Sequence, residues 1–162
     1  MKSKKTAMYG LLVALAFILS YIESLIPFPL MPGMKLGLAN LVVIIALYGM
    51  GWKEALVLSL IRIILVGFTF GNLSTMLYSL AGGLLSWLMM VLAKKSKWFS
   101  MVGVSIIGGI SHNIGQIIVA ILTVSNVYLV TYLPLLLITG AITGTLIGFL
   151  GALILKRIKR LF

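Results

Sequence analysis

Arg62, His112, Asn113 and Gln116 are the side chains of this sequence best suited to chemistry, and each stands inside a long apolar run. An arginine near the middle of a bilayer-spanning segment costs about 2.5–3.5 kcal/mol to insert, so its guanidinium has to face a cavity, a ligand or a partner. Two arrangements are open. Glu23, toward the end of the first apolar run, would form a structural ion pair with Arg62. An anionic molecule would instead make Arg62 a binding group, with Glu23 orienting it. Ser105, Gly109, His112 and Gln116 recur at steps of four, three and four, which places them on one stripe of a helix with Asn113 beside it. A lone histidine on such a stripe is commonly a satisfied core group. Beside Asn113 and Gln116 at bilayer depth, His112 is expected to touch a ligand.

The chemistry these residues cannot do is equally informative. The two acids of the chain are Glu23 and Glu54, and aspartate is absent. Paired carboxylates for acid–base work or for Mg²⁺ are therefore missing. Cysteine is absent and His112 is the single histidine, so thiol catalysis and a metal centre are not expected. No glycine-rich phosphate loop of the Walker type occurs. The residues point to binding without catalysis and without a cofactor.

The elements that hold these residues belong to a membrane. Of the 162 residues, 62% are apolar and 9% charged, and the mean hydropathy is +1.23. Apolar blocks recur along the whole chain. Six spans can be drawn, at roughly Thr6–Leu25, Leu36–Met50, Lys53–Phe70, Thr75–Ala93, Ser100–Thr123 and Thr131–Leu155. The start, Lys2-Ser-Lys-Lys5 before an apolar run, resembles a signal peptide. The run is long and lacks a cleavage site, so it is expected to be the first transmembrane helix. The net charge of +11 does not signal nucleic acid, because the cations cluster at the ends of the apolar blocks. With both termini cytoplasmic, Lys2, Lys4, Lys5, Lys53, Lys94, Lys95, Lys97, Lys156, Arg157, Lys159 and Arg160 all fall inside. Lys35 alone falls in an outer loop.

The stretch Pro27–Asn40 reads PFPLMPGMKLGLAN and holds three of the four prolines, so it cannot be a regular helix. The second span after it is short, about fifteen residues or roughly 22 Å against about 30 Å of hydrocarbon. The Met34–Asn40 end is then expected below the surface, buried in protein or lining a cavity. Asn72 and Ser74, and Asn126 and Tyr128, supply further polar groups in the outer loops, gathering with Lys35 and Asn40. Small residues recur at helical spacing: Gly10 and Ala14 in the first span, Ser79, Gly82, Gly83 and Ser86 in the fourth, and Gly140, Gly144, Gly148 and Ala152 in the sixth. Such faces let helix backbones approach closely in lipid.

Lys35-Leu-Gly-Leu-Ala-Asn40, with Tyr48-Gly-Met-Gly51, Gly71-Asn72-Leu-Ser74 and Ser111-His112-Asn113-x-x-Gln116, resembles the family known both as heptaprenyl diphosphate synthase component I and as Gx transporter. Its wider relatives are similar to the substrate-binding S-components of energy-coupling factor (ECF) vitamin transporters. That resemblance implies an all-α, six-helix bundle that takes a substrate from outside and docks on a transmembrane coupling subunit driven by two ATPases. It implies docking through a small-x-x-x-small motif on the first helix. Gly10 and Ala14 match its positions, Gly10 departing from the usual alanine. It also implies a lid between helices one and two, matched by Pro27–Lys35. The synthase label finds no support in the residues, since prenyl-chain synthases hold diphosphate through Mg²⁺ on aspartate-rich motifs.

The expectation is a single transmembrane domain spanning residues 1–162 in the bacterial cell membrane, an S-component-like subunit without its own ATPase and not an enzyme. Arg62, His112, Asn113, Gln116 and Lys35 are the expected substrate contacts, with Glu23, Asn40 and Asn72 next. The substrate is expected to be a small amphipathic or anionic molecule. The alternatives are a non-catalytic accessory subunit of prenyl diphosphate or quinone synthesis, or of an extracellular electron-transfer system, and a purely structural scaffold.

Overall fold

The computed structural model describes residues 2–25 and 37–158. The Pro27–Lys35 segment, Lys35 with it, lies outside the described residues. Among those described, the chain is all helical: α1 (Lys2–Leu25), α2 (Asn40–Gly49), α3 (Trp52–Thr69), α4 (Leu73–Ser96), α5 (Met101–Val124), a short 3-10 helix (Val127–Tyr132) and α6 (Leu133–Ile158). The number and order of α-helices agree with the six apolar blocks. Four stretches, Thr6–Leu25, Leu73–Ser96, Met101–Val124 and Val127–Ile158, are long and apolar enough to cross a membrane. α3 carries three charges, Lys53, Glu54 and Arg62, within its 18 residues. α2 has 10 residues, only about 15 Å of helix.

Local chemistry sets the helix ends. Asn72 accepts from Thr75 N at 2.9 Å while Thr75 Oγ1 accepts from Asn72 N at 2.9 Å, a capping box that starts α4. Ser100 starts α5 by accepting from Gly103 N at 3.3 Å. Between α2 and α3 the chain turns at Gly51, whose φ of +129° only glycine adopts readily.

The packing runs opposite to that of a water-soluble protein. On α6 the exposed side chains include Leu135, Ile138, Ile142, Leu146, Phe149, Leu150 and Leu153, while Gly140, Gly144, Gly148 and Gly151 are buried. An apolar stripe outside and a glycine stripe inside is the arrangement suited to lipid. A Cβ on Gly144 would lie 2.7 Å from Ile106 Cα, and one on Gly148 2.7 Å from Val102 Cα. On the other side of α5, a Cβ on Gly115 would lie 2.7 Å from Ala81 O of α4. α5 is thus clasped between α4 and α6 at backbone distance, which fixes the rotation of every side chain it carries.

α2 forms the centre of the apolar core, with Val42, Ile44, Ile45 and Ala46 inaccessible and Leu12, Ala16, Leu58, Met90, Val104 and Ile147 around it. Neighbouring helices therefore shield this short helix, as its length demands. Cations collect at one end of the bundle. Lys94 Nζ donates to Leu47 O at 2.6 Å and sits 4.6 Å from the Tyr48 ring. Lys53 lies 5.4 Å from the Trp52 ring, and Trp87 Nε1 donates to Trp52 O at 2.8 Å. Lys156 and Arg157 close the last turn of α6.

Candidate functional site

Toward the other end, polar side chains gather inside the bundle. Glu23, Asn40, Ser59, Arg62, Ser79, His112, Asn113 and Gln116 are all buried. The Gly37–Asn40 turn links the first of them. Gly37 has φ +84°, and Asn40 N donates to Gly37 O at 2.8 Å. Glu23 Oε1, one turn from the end of α1, accepts from Gly37 N and from Leu38 N, the latter at 3.3 Å. A carboxylate that takes two backbone N–H groups is well placed below the surface, because a charged acceptor forms stronger bonds and satisfies donors that no helix uses. Gly37, Ala39 and Asn40 are buried, in line with the depth expected of this turn.

The same turn reaches α5. A Cβ on Gly37 would stand 3.0 Å from Asn40 Nδ2 and 3.9 Å from His112 Cδ2. The far edge of the imidazole meets α4, since a Cβ on Gly82 would lie 3.0 Å from His112 Cε1, 3.0 Å from Gln116 Cγ and 2.8 Å from His112 O. Gly83, next along α4, faces Ser59 Oγ and Ile63 Cδ1 of α3, at 3.4 and 3.0 Å from its would-be Cβ. Ser59, Arg62, Ile63 and Val66 form the buried face of α3. The Glu23 carboxylate stands within electrostatic reach of the Arg62 guanidinium.

Among these side chains, Arg62 and Gln116 each hold two polar atoms without a hydrogen-bond partner among the described residues. Arg62 is 4% exposed and Gln116 1%. Among the described residues, neither Nε nor Nη2 of Arg62 has a hydrogen-bond partner, nor does Nε2 or Oε1 of Gln116. Leaving such groups unpaired away from water is costly.

The other expected residues fall elsewhere. Asn113 Nδ2 donates to Leu136 O at 2.6 Å, a buried bond that ties α5 to α6. Asn72 is exposed and caps α4. Asn126 caps the 3-10 helix by accepting from Tyr128 N at 3.0 Å, and Tyr128 is 83% exposed. Gly10 and Ala14 lie on the exposed side of α1, and a Cβ on Gly10 would meet nothing within 4 Å.

The stripe read on α5 divides between two neighbours. His112 and Gln116 face Gly82 of α4, whereas Gly109 packs on Gly140, and Ser105 on Gly148, both of α6. Asn113 joins the second group. Two residues of the site escaped sequence reasoning: Ser59 beside Gly83, and Ser20, buried three residues before Glu23; Gly37 falls in the Met34–Asn40 stretch expected to be buried, though not its bond to Glu23. The i, i+3 spacing to Glu23 or Arg62 was the signal for the two serines. Gly82 was read only as a packing residue, although its missing side chain makes room for His112 and Gln116.

A family model described as heptaprenyl diphosphate synthase component I matches residues 12–154. No curated protein and no solved structure matches the chain. The long apolar helices, the lipid-suited exposed faces and this match agree: the chain is a multi-helix membrane protein that belongs to the heptaprenyl diphosphate synthase component I family.

Proposed function

We propose that this protein captures a small anionic or amphipathic molecule inside the membrane bundle, as the S-component-like subunit of an ECF-type transporter in the bacterial cell membrane. All six helices contribute to the bundle, and both termini face the cytoplasm. One observation carries the reading: Arg62 is buried, and among the described residues its Nε and Nη2 have no hydrogen-bond partner, in the end of the bundle where Glu23, Asn40, His112 and Gln116 are also buried. A scaffold would satisfy those donors; a binding site keeps them for its ligand. Arg62, His112, Gln116 and Asn40 are the proposed contacts. Glu23 orients Arg62 and holds the turn, and Asn113 fixes α5 against α6. The ligand enters from the end opposite the cations, since cation-rich ends remain cytoplasmic. Catalysis plays no part, because the chain's only carboxylates are Glu23 at one end of the bundle and Glu54 in the first turn of α3 at the other.

A second reading has its own support in the family description. A component I presupposes another component, so the protein would be a non-catalytic membrane partner in prenyl diphosphate synthesis. The exposed Gly10–Ala14 face of α1 suits docking under either reading.

Affinity purification from gently solubilised cells separates the two. Under the first, a transmembrane coupling subunit and its ATPases accompany the protein, and Gly10→Leu releases them without loss of the captured molecule. Under the second, a soluble prenyl synthase subunit accompanies it, and no ATPase does.

A further inference from the structure

Resting on the capture reading, we infer that the ligand carries two distinct groups, an oxyanion for Arg62 and a cis donor–acceptor edge, such as that of an imide or lactam, for Gln116. The atoms left unpaired dictate both. On a guanidinium, Nε and Nη2 form one edge with two parallel N–H bonds, the edge that matches two oxygens of a carboxylate or phosphate. Among the described residues the amide of Gln116 leaves Nε2 and Oε1 unpartnered together, so it presents a donor and an acceptor side by side. A group that returns both bonds carries a donor next to an acceptor in a cis arrangement, as an imide, a lactam or an un-ionised carboxyl does.

A fully ionised phosphate or a hydrocarbon chain offers no donor. It would leave Gln116 Oε1 unsatisfied at a position only 1% exposed. A site built to pair a buried polar group rejects molecules that lack the counterpart, because the protein atom is then stranded. His112 and Gln116 both pack against the bare backbone of Gly82, which fixes where the Gln116 amide stands. The inference therefore disfavours a simple prenyl diphosphate and favours an acid that also carries a donor–acceptor edge.

Equilibrium dialysis of the full-length chain in lipid nanodiscs tests this with four radiolabelled probes. Orotate has a carboxylate and an imide edge, benzoate only the carboxylate, uracil only the edge, and geranyl diphosphate an oxyanion on a hydrocarbon chain. Orotate is expected to bind about tenfold or more tighter than benzoate or uracil, about 1.4 kcal/mol per tenfold. Gln116→Leu is expected to weaken orotate and uracil at least tenfold while benzoate changes less than twofold. Arg62→Met is expected to weaken orotate and benzoate at least tenfold while uracil changes less than twofold. Should geranyl diphosphate or benzoate bind best, with Gln116→Leu without effect, the two-group inference is overturned and the capture reading stands. Should no probe bind, the inference is overturned too. Capture itself then falls only if the purified protein also carries no small molecule by native mass spectrometry.

Discussion

Glu23 Oε1 accepts a hydrogen bond from the backbone N–H of Gly37, 14 residues further along the chain. That single contact fastens the end of α1 to the turn that starts α2. It brings a negative charge within electrostatic reach of Arg62 and sets the turn against His112.

Glu23→Gln should therefore destabilise the protein by about 2–4 kcal/mol, since it weakens two bonds to backbone and leaves the Arg62 charge buried without compensation. Chemical or thermal unfolding in detergent, followed by the fluorescence of the three tryptophans, measures it. The double variant Glu23→Gln/Arg62→Gln should lose less than the sum of the single losses, with a coupling of about 1–3 kcal/mol. Additive losses would show that the two charges do not interact.

Gln116→Leu should raise the unfolding midpoint of the ligand-free protein. The substitution keeps the approximate volume and removes two buried polar atoms that have no partner among the described residues, a relief of about 1–3 kcal/mol. A lower midpoint in the same unfolding assay would show that the amide is satisfied within the chain.

Gly82 and Gly10 should respond in opposite ways to the same change. A Cβ at position 82 lies 2.8 Å from His112 O and 2.8 Å is too close for backbone to yield, whereas one at position 10 meets nothing within 4 Å. Gly82→Val should cost about 1–3 kcal/mol through overpacking and abolish ligand capture. Gly10→Leu should leave stability within about 0.5 kcal/mol and affect only association with a partner. Parallel melting curves and co-purification assays distinguish these outcomes.

Asn113→Leu should cost about 0.6–1.7 kcal/mol, the range for one hydrogen bond between membrane helices, because its Nδ2 bond to Leu136 O crosses from α5 to α6. Unfolding curves should show that loss while the identity of the captured molecule stays the same. A changed ligand would assign Asn113 to the site directly.

Much of this architecture is legible in the sequence, and the exceptions have physical causes. Six helices follow from six apolar blocks, and the shortness of α2 together with its buried start follows from the prolines and KLGLAN. The start of α2 falls at Asn40 rather than at Leu36 because Glu23 captures Gly37 N and Leu38 N, a contact across 14 residues that no local pattern reveals. α6 starts at Leu133, two residues later than expected, because Asn126 first caps a 3-10 helix. Periodicity places His112 and Gln116 together, but it cannot say which neighbour each α5 residue meets. That depends on glycines of two other helices, Gly82 on one side and Gly140 and Gly148 on the other.

The most direct test of the central claim is native mass spectrometry of gently purified protein, wild type against Arg62→Ala, with tryptophan fluorescence to verify that both are folded. Wild type is expected to carry a small molecule that Arg62→Ala lacks. Wild type free of any small molecule, with Arg62→Ala equally stable, would contradict capture at Arg62.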